Sequence, residues 1–117
     1  MITDNTLSRN SKIDFVTALD NLLIGIKKDY ANWMTSEDMI ERFNKGINIK
    51  SGKKYTKVIQ GSSVWGFIAN GEGALKGIPY KTGDVFKAAG WAAPAKWARG
   101  NIFDGGKFYQ WTGPNYL

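Results

Sequence analysis

The chain predicts an α+β fold: an N-terminal helical hairpin packed on a small antiparallel β-sheet or half-open barrel. A change of pattern near residue 50 predicts it. Before that point apolar residues recur at helical steps of three and four; after it they alternate, and glycines punctuate short runs. With 117 residues and 43% apolar side chains, the chain is large enough to bury one core without metal or disulfide staples. One domain over 1–117 is expected, with 1–50 as a helical layer and 51–117 as a basic, aromatic-rich β layer.

Residues 1–10 are polar and are expected to fray. Ser11 followed by Asp14 reads as a helix entry, where a side-chain oxygen accepts orphan N–H groups. Phe15, Leu19, Leu22, Ile26, Tyr30 and Trp33 then line one helical face, widened by Val16 and Leu23, so a helix is predicted over about 12–33. Gly25 weakens it slightly. Thr35 and Ser36 precede a second helix. Its first turn holds Glu37 and Asp38, its buried stripe is Met39, Ile40 and Phe43, and Lys45 with Gly46 mark its end. Asp29, Glu37, Asp38 and Glu41 read as a solvated helical face.

From Lys53 onward the pattern is that of strands. Lys54–Gln60 and Ser63–Ala69 form a hairpin about Gly61-Ser62. Tyr55 and Lys57 are expected on one sheet face, as are Trp65 and Phe67. Asn70–Gly77 reads as a glycine-rich mobile loop. Lys81-Thr82-Gly83 turns into a strand over Asp84–Ala89, and a last strand, Phe108–Thr112, ends at Gly113-Pro114. Residues 90–106, interrupted by Pro94 and glycines, read as a turn of helix or an ordered loop.

The two halves differ in charge. Residues 1–50 hold seven Lys/Arg against seven Asp/Glu, whereas 51–117 hold nine against Glu72, Asp84 and Asp104, so the net charge of +6 lies in the second half. Four of the five tryptophans lie there too. Cations neutralise phosphates and flat rings stack on bases, which suits a nucleic-acid surface. The same composition also suits an aromatic core in a lysine-decorated β-domain. A pI near 9.6 draws the protein towards polyanions in general.

The chain has no cysteine and no histidine. Disulfides, thiolate metal sites, Cys nucleophiles and the histidine base of a Ser-His-Asp arrangement are thereby excluded. No cofactor or metal is expected, and the chain reads as non-enzymatic. The start, with Asp4 and no basic n-region, does not read as a signal peptide, and Leu22–Ile26 is far short of a membrane span. A soluble, intracellular protein is expected.

Two groups of residues are candidates for binding. Trp91, Lys96, Trp97, Arg99 and Asn101 combine indoles, cations and an amide suited to stacking, phosphate pairing and base-edge hydrogen bonds. Alternatively the indoles anchor the segment to the core, and Arg99 pairs with Asp104. Lys53, Lys54 and Lys57, with Lys50 before them, form a basic run at the entry to a strand. Beside Tyr55 they suit a single-strand platform, or else lysines guarding a sheet edge. Gly71–Gly77 lacks the spacing of a nucleotide-binding glycine loop. Asp84 reads as a turn residue, and a metal-dependent nuclease built on Asp84 and Asp104 is disfavoured.

The segment Lys81–Asp104, preceded by the Ser63–Phe67 strand and followed by Trp111–Pro114, resembles a set of small basic proteins of tailed bacteriophages. The resemblance covers roughly 53–117. It implies an origin rather than an activity: a phage product acting in the cytoplasm of the infected bacterial host. The expected function is a non-enzymatic nucleic-acid-binding module using Lys53, Lys54, Lys57, Trp91, Lys96, Trp97, Arg99 and Asn101. The alternative is a protein-binding module that modulates an acidic host protein through the 90–104 segment. No membrane partner is expected.

Overall fold

The computed structural model describes residues 14–104 and 108–115, so the polar lead and the entry at Ser11 lie outside the described residues. Helix α1 (Phe15–Trp33) is capped by Asp14, whose carboxylate accepts the Thr17 N–H at 2.8 Å. That bond and the Thr17 hydroxyl favour the ionised form and hold Asp14 below its ordinary value. Ala18, Leu19, Leu22, Ile26 and Tyr30 form the buried stripe.

The stripe is narrower and shorter than its spacing predicts. Val16 is exposed, and Trp33 is 74% exposed. Tyr30 already has Phe43 stacked at 4.0 Å and Trp111 edge-on at 5.0 Å, which leaves the last position of the stripe no core to enter. Asp29 is not on the solvated face: it is buried and accepts the Trp111 N–H at 2.8 Å. Gly25 also has a packing role. A Cβ there would collide with the Tyr109 hydroxyl, so glycine lets Tyr109 lie against the helix.

Helix α2 (Glu37–Gly46) starts at Ser36, which accepts the Met39 N–H at 3.4 Å. Phe43 is its buried residue, while Met39 is exposed. The chain passes directly into β1 (Ile47–Ser51), then β2 (Tyr55–Gln60) and β3 (Ser63–Ala69). β4 (Gly73–Leu75) and β5 (Ile78–Tyr80) follow, then β6 (Asp84–Ala88), β7 (Pro94–Asn101), β8 (Tyr109–Gln110) and β9 (Gly113–Pro114). The main sheet is antiparallel and open, with five strands in the order β1-β2-β3-β6-β7 and no barrel closure.

Four expectations are corrected. The glycine-rich stretch is a β4–β5 hairpin, whose turn places Lys76 and Gly77 at φ 52° and 81°, the two-residue turn that matches strand twist. Residues 94–101 form a strand rather than a loop or helical turn. Pro94 is tolerated there because β7 is an edge, and two register shifts against β6 absorb the irregularity that masks its pattern. The last strand is instead a pair of two-residue strands about Trp111-Thr112. Finally, Trp65 and Phe67 face opposite ways. Val58 pairs with Gly66 but Ile59 with Val64, so Trp65 is the extra residue of a bulge.

The helices cover one face of the sheet. Val58, Trp65, Ile68 and Val85 meet the α1 stripe and Phe43 in one core. Phe67, Ala69, Phe86 and Tyr80 form a smaller cluster with Tyr55 and Leu75 on the other face. Among the described residues, no helix is long and apolar enough to cross a membrane.

Candidate nucleic-acid interface

The turn from β1 to β2 carries Lys53 and Lys54, and it is pinned from outside. Gly52 N–H donates to the Tyr55 carbonyl at 2.8 Å. Asn70, at the end of β3, donates its side-chain amide to the Gly52 carbonyl at 2.9 Å and accepts from the Thr56 hydroxyl at 2.6 Å. The Asn70 N–H also donates to the Lys54 carbonyl at 2.9 Å. A turn rich in lysine is thus held in one shape by polar bonds to a single asparagine.

Beside this turn the sheet has a shallow depression of about 250 Å³, lined by Lys50, Lys53, Lys54 and Lys57 with Tyr55, Phe67 and Ala92 among the other residues. No carboxylate lines it. Lys50 and Lys57 are direct cross-strand partners on β1 and β2. Like charges directly opposite each other weaken an antiparallel pair. The Lys57 ammonium lies 4.3 Å from the centre of the Trp91 ring and 5.9 Å from that of Phe67. Tyr55 stays neutral: burial first, then the Tyr80 hydroxyl, pushes its value up to about 12.

The structure thus brings together Lys53, Lys54, Lys57 and Trp91 of the expected site. Lys96 and Trp97 form a second exposed pair on β7, with the ammonium 5.6 Å from the ring centre. Arg99 is held elsewhere. It donates to the Trp97 carbonyl and to the Asn115 carbonyl, each at 3.0 Å, and so ties β7 to the C-terminal segment rather than pairing with Asp104. Lys87 makes a parallel strap to the Pro114 carbonyl at 2.7 Å. Burial, followed by the nearby Arg99 charge, lowers the Lys87 value.

Asn101, expected to read a base edge, is instead the last residue of β7, and its side chain holds the turn before β6. It is buried, donates to the Thr82 carbonyl and to the Asp84 carboxylate at 2.9 Å each, and accepts the Phe103 N–H at 2.8 Å. Asp84 also accepts the Lys81 N–H, as a turn residue should. Among the described residues no group of three His, Cys, Asp or Glu is placed to hold a metal ion. Asn70 escaped the sequence reading because it opens a glycine-rich stretch. Its role depends on the fold bringing residues 52 and 56 beside it.

These features define a class: a small α+β protein with a carboxylate-free basic depression over an aromatic floor. The chain belongs to a family of unknown function, DUF7717, whose model matches residues 3–113. No curated protein and no solved structure matches it.

Proposed function

We propose that this protein is a non-enzymatic nucleic-acid-binding module, and that the Lys50–Lys53–Lys54–Lys57 depression is its phosphate-binding surface. One observation carries the reading: four lysines line a hollow without a carboxylate, and two of them stand directly opposite each other on paired strands. A fold that served stability alone would gain by breaking that pair. Exposed Trp91 and Trp97, each with a lysine ammonium over its ring, add rings suited to bases. A partner protein's hot spot would instead favour a contiguous apolar patch with dispersed cations. The resemblance of the β half to small phage proteins supports an infected bacterium as the setting of this reading.

The test is a titration of nuclease-treated protein with labelled DNA and RNA oligonucleotides over a range of salt. Affinity should fall steeply with salt, and the oligonucleotides should be recovered intact. The double variant Lys53→Gln, Lys54→Gln should flatten the slope of log affinity against log salt by about 1.4 for single strands, at about 0.7 per phosphate contact. Its thermal midpoint should not change. Binding that ignores the double variant, or no binding at low salt, would overturn the reading and direct attention to an acidic protein partner.

A further inference from the structure

We infer that the depression takes an unpaired nucleotide, so that the ligand is single-stranded nucleic acid and Trp91 is the group that stacks on its base. This rests on the nucleic-acid reading above and adds which form is held and how. Three observations carry it.

The first is shape. Duplex sequence is read by a helix or ribbon that enters a groove, whereas unpaired bases settle on aromatic rings. The surface here is a hollow of about 250 Å³ lined by strand and turn residues, and the exposed ring beside it is Trp91, against the Lys57 ammonium. The second is the position of Lys57. Its ammonium lies 4.3 Å from the centre of the exposed Trp91 ring and 5.9 Å from that of the buried Phe67, and so covers one face of the indole. Cation–π attraction at an exposed site is weaker than a charge-assisted bond to phosphate. A backbone phosphate therefore draws Lys57 towards Lys50, Lys53 and Lys54 and uncovers the indole. The third is the freedom of Trp91. It is 55% exposed on a turn closed by the Ala89 and Gly90 N–H groups, which donate to the Ala93 carbonyl at 2.9 and 3.2 Å. Its ring can pivot without disturbing either core cluster.

The experiment compares four labelled probes of equal length at low salt: a thymidylate strand, a uridylate strand, an abasic strand with the same phosphates, and a duplex. Base-bearing single strands should bind on the order of tenfold more tightly than the abasic strand. The duplex should bind no more tightly than the abasic strand. Trp91→Ala should abolish the preference for base-bearing over abasic strands, while Trp91→Phe, which keeps a ring, retains part of the preference. An unchanged thermal midpoint shows that both variants fold, and Trp33→Ala serves as the control for losing an exposed indole. Equal affinity for abasic and base-bearing strands would overturn the inference and leave the nucleic-acid reading standing. So would a preference that survives Trp91→Ala, or tighter duplex binding. Failure of every probe would overturn both.

Discussion

Lys57 and Arg99 were expected to share one task, and the structure gives them different ones. Lys57 stands in a hollow among other lysines, over two aromatic rings and opposite Lys50. Arg99, with Lys87 nearby, is turned to backbone carbonyls and straps the C-terminal segment to β6 and β7. Both regions are basic, yet only in one are the cations bonded to backbone carbonyls. A cation engaged with carbonyls in a partly buried place stabilises the chain; a lysine facing another lysine across paired strands is, on the function proposed above, the one that meets an anion. Net charge counts the two alike. Position separates them.

The comparison breaks if Lys87 proves dispensable for stability. Lys87→Met keeps the stem but leaves the Pro114 carbonyl without this donor, which should cost about 2 kcal/mol in denaturant unfolding. Nucleic-acid affinity should be unchanged once the variant is folded. A loss of affinity without a loss of stability would mean that the strap belongs to the binding surface.

A smaller effect tests how the lysine turn is held. Asn70→Ala removes the bonds to Gly52 and Thr56 and should cost about 1 kcal/mol. Affinity should fall less than in the Lys53→Gln, Lys54→Gln variant, with the salt slope retained, because the charges remain but are less well placed. A salt slope as flat as that of the lysine variant would contradict this.

The smallest effect concerns pH. The Tyr55 value is raised from 10.0 to about 12, so the folded state favours the neutral hydroxyl more than the unfolded chain does. Its contribution is complete below pH 10, declines as pH rises, and is gone above about 12. Stability measured across that window should fall less steeply in Tyr55→Phe than in the parent. Identical alkaline slopes would show that Tyr55 is not sheltered by burial and Tyr80.

Much of the fold is legible before any coordinates. The Ser36 cap, the Gly61 turn and the Asp84 turn follow from local spacing and local hydrogen bonding, and each stands where its residues imply; the α1 stripe does so except at Val16 and Trp33, which are exposed. The failures share a cause. The β7 strand carries two register shifts, and Trp65 is an extra residue in a bulge, so neither keeps the alternation that announces a strand face. The glycine-rich stretch hides a hairpin because its strands are three residues each, too short for a period to show. Part of the candidate site was legible: the lysine run was visible as a run, and Trp91 as an indole near cations, with burial against the core as the alternative that its 55% exposure overturns. That Lys50 faces Lys57, and that Asn70 pins the turn between them, depends on residues distant in sequence.

By itself the sequence determined the class of the protein. Periodicity is a local property, and so are cap chemistry, turn chemistry and the placing of the whole net charge in the second half. The tertiary structure alone decided which basic groups hold the chain together and which line a surface. That choice depends on strand register, and a single bulge moves a side chain from one face of the sheet to the other.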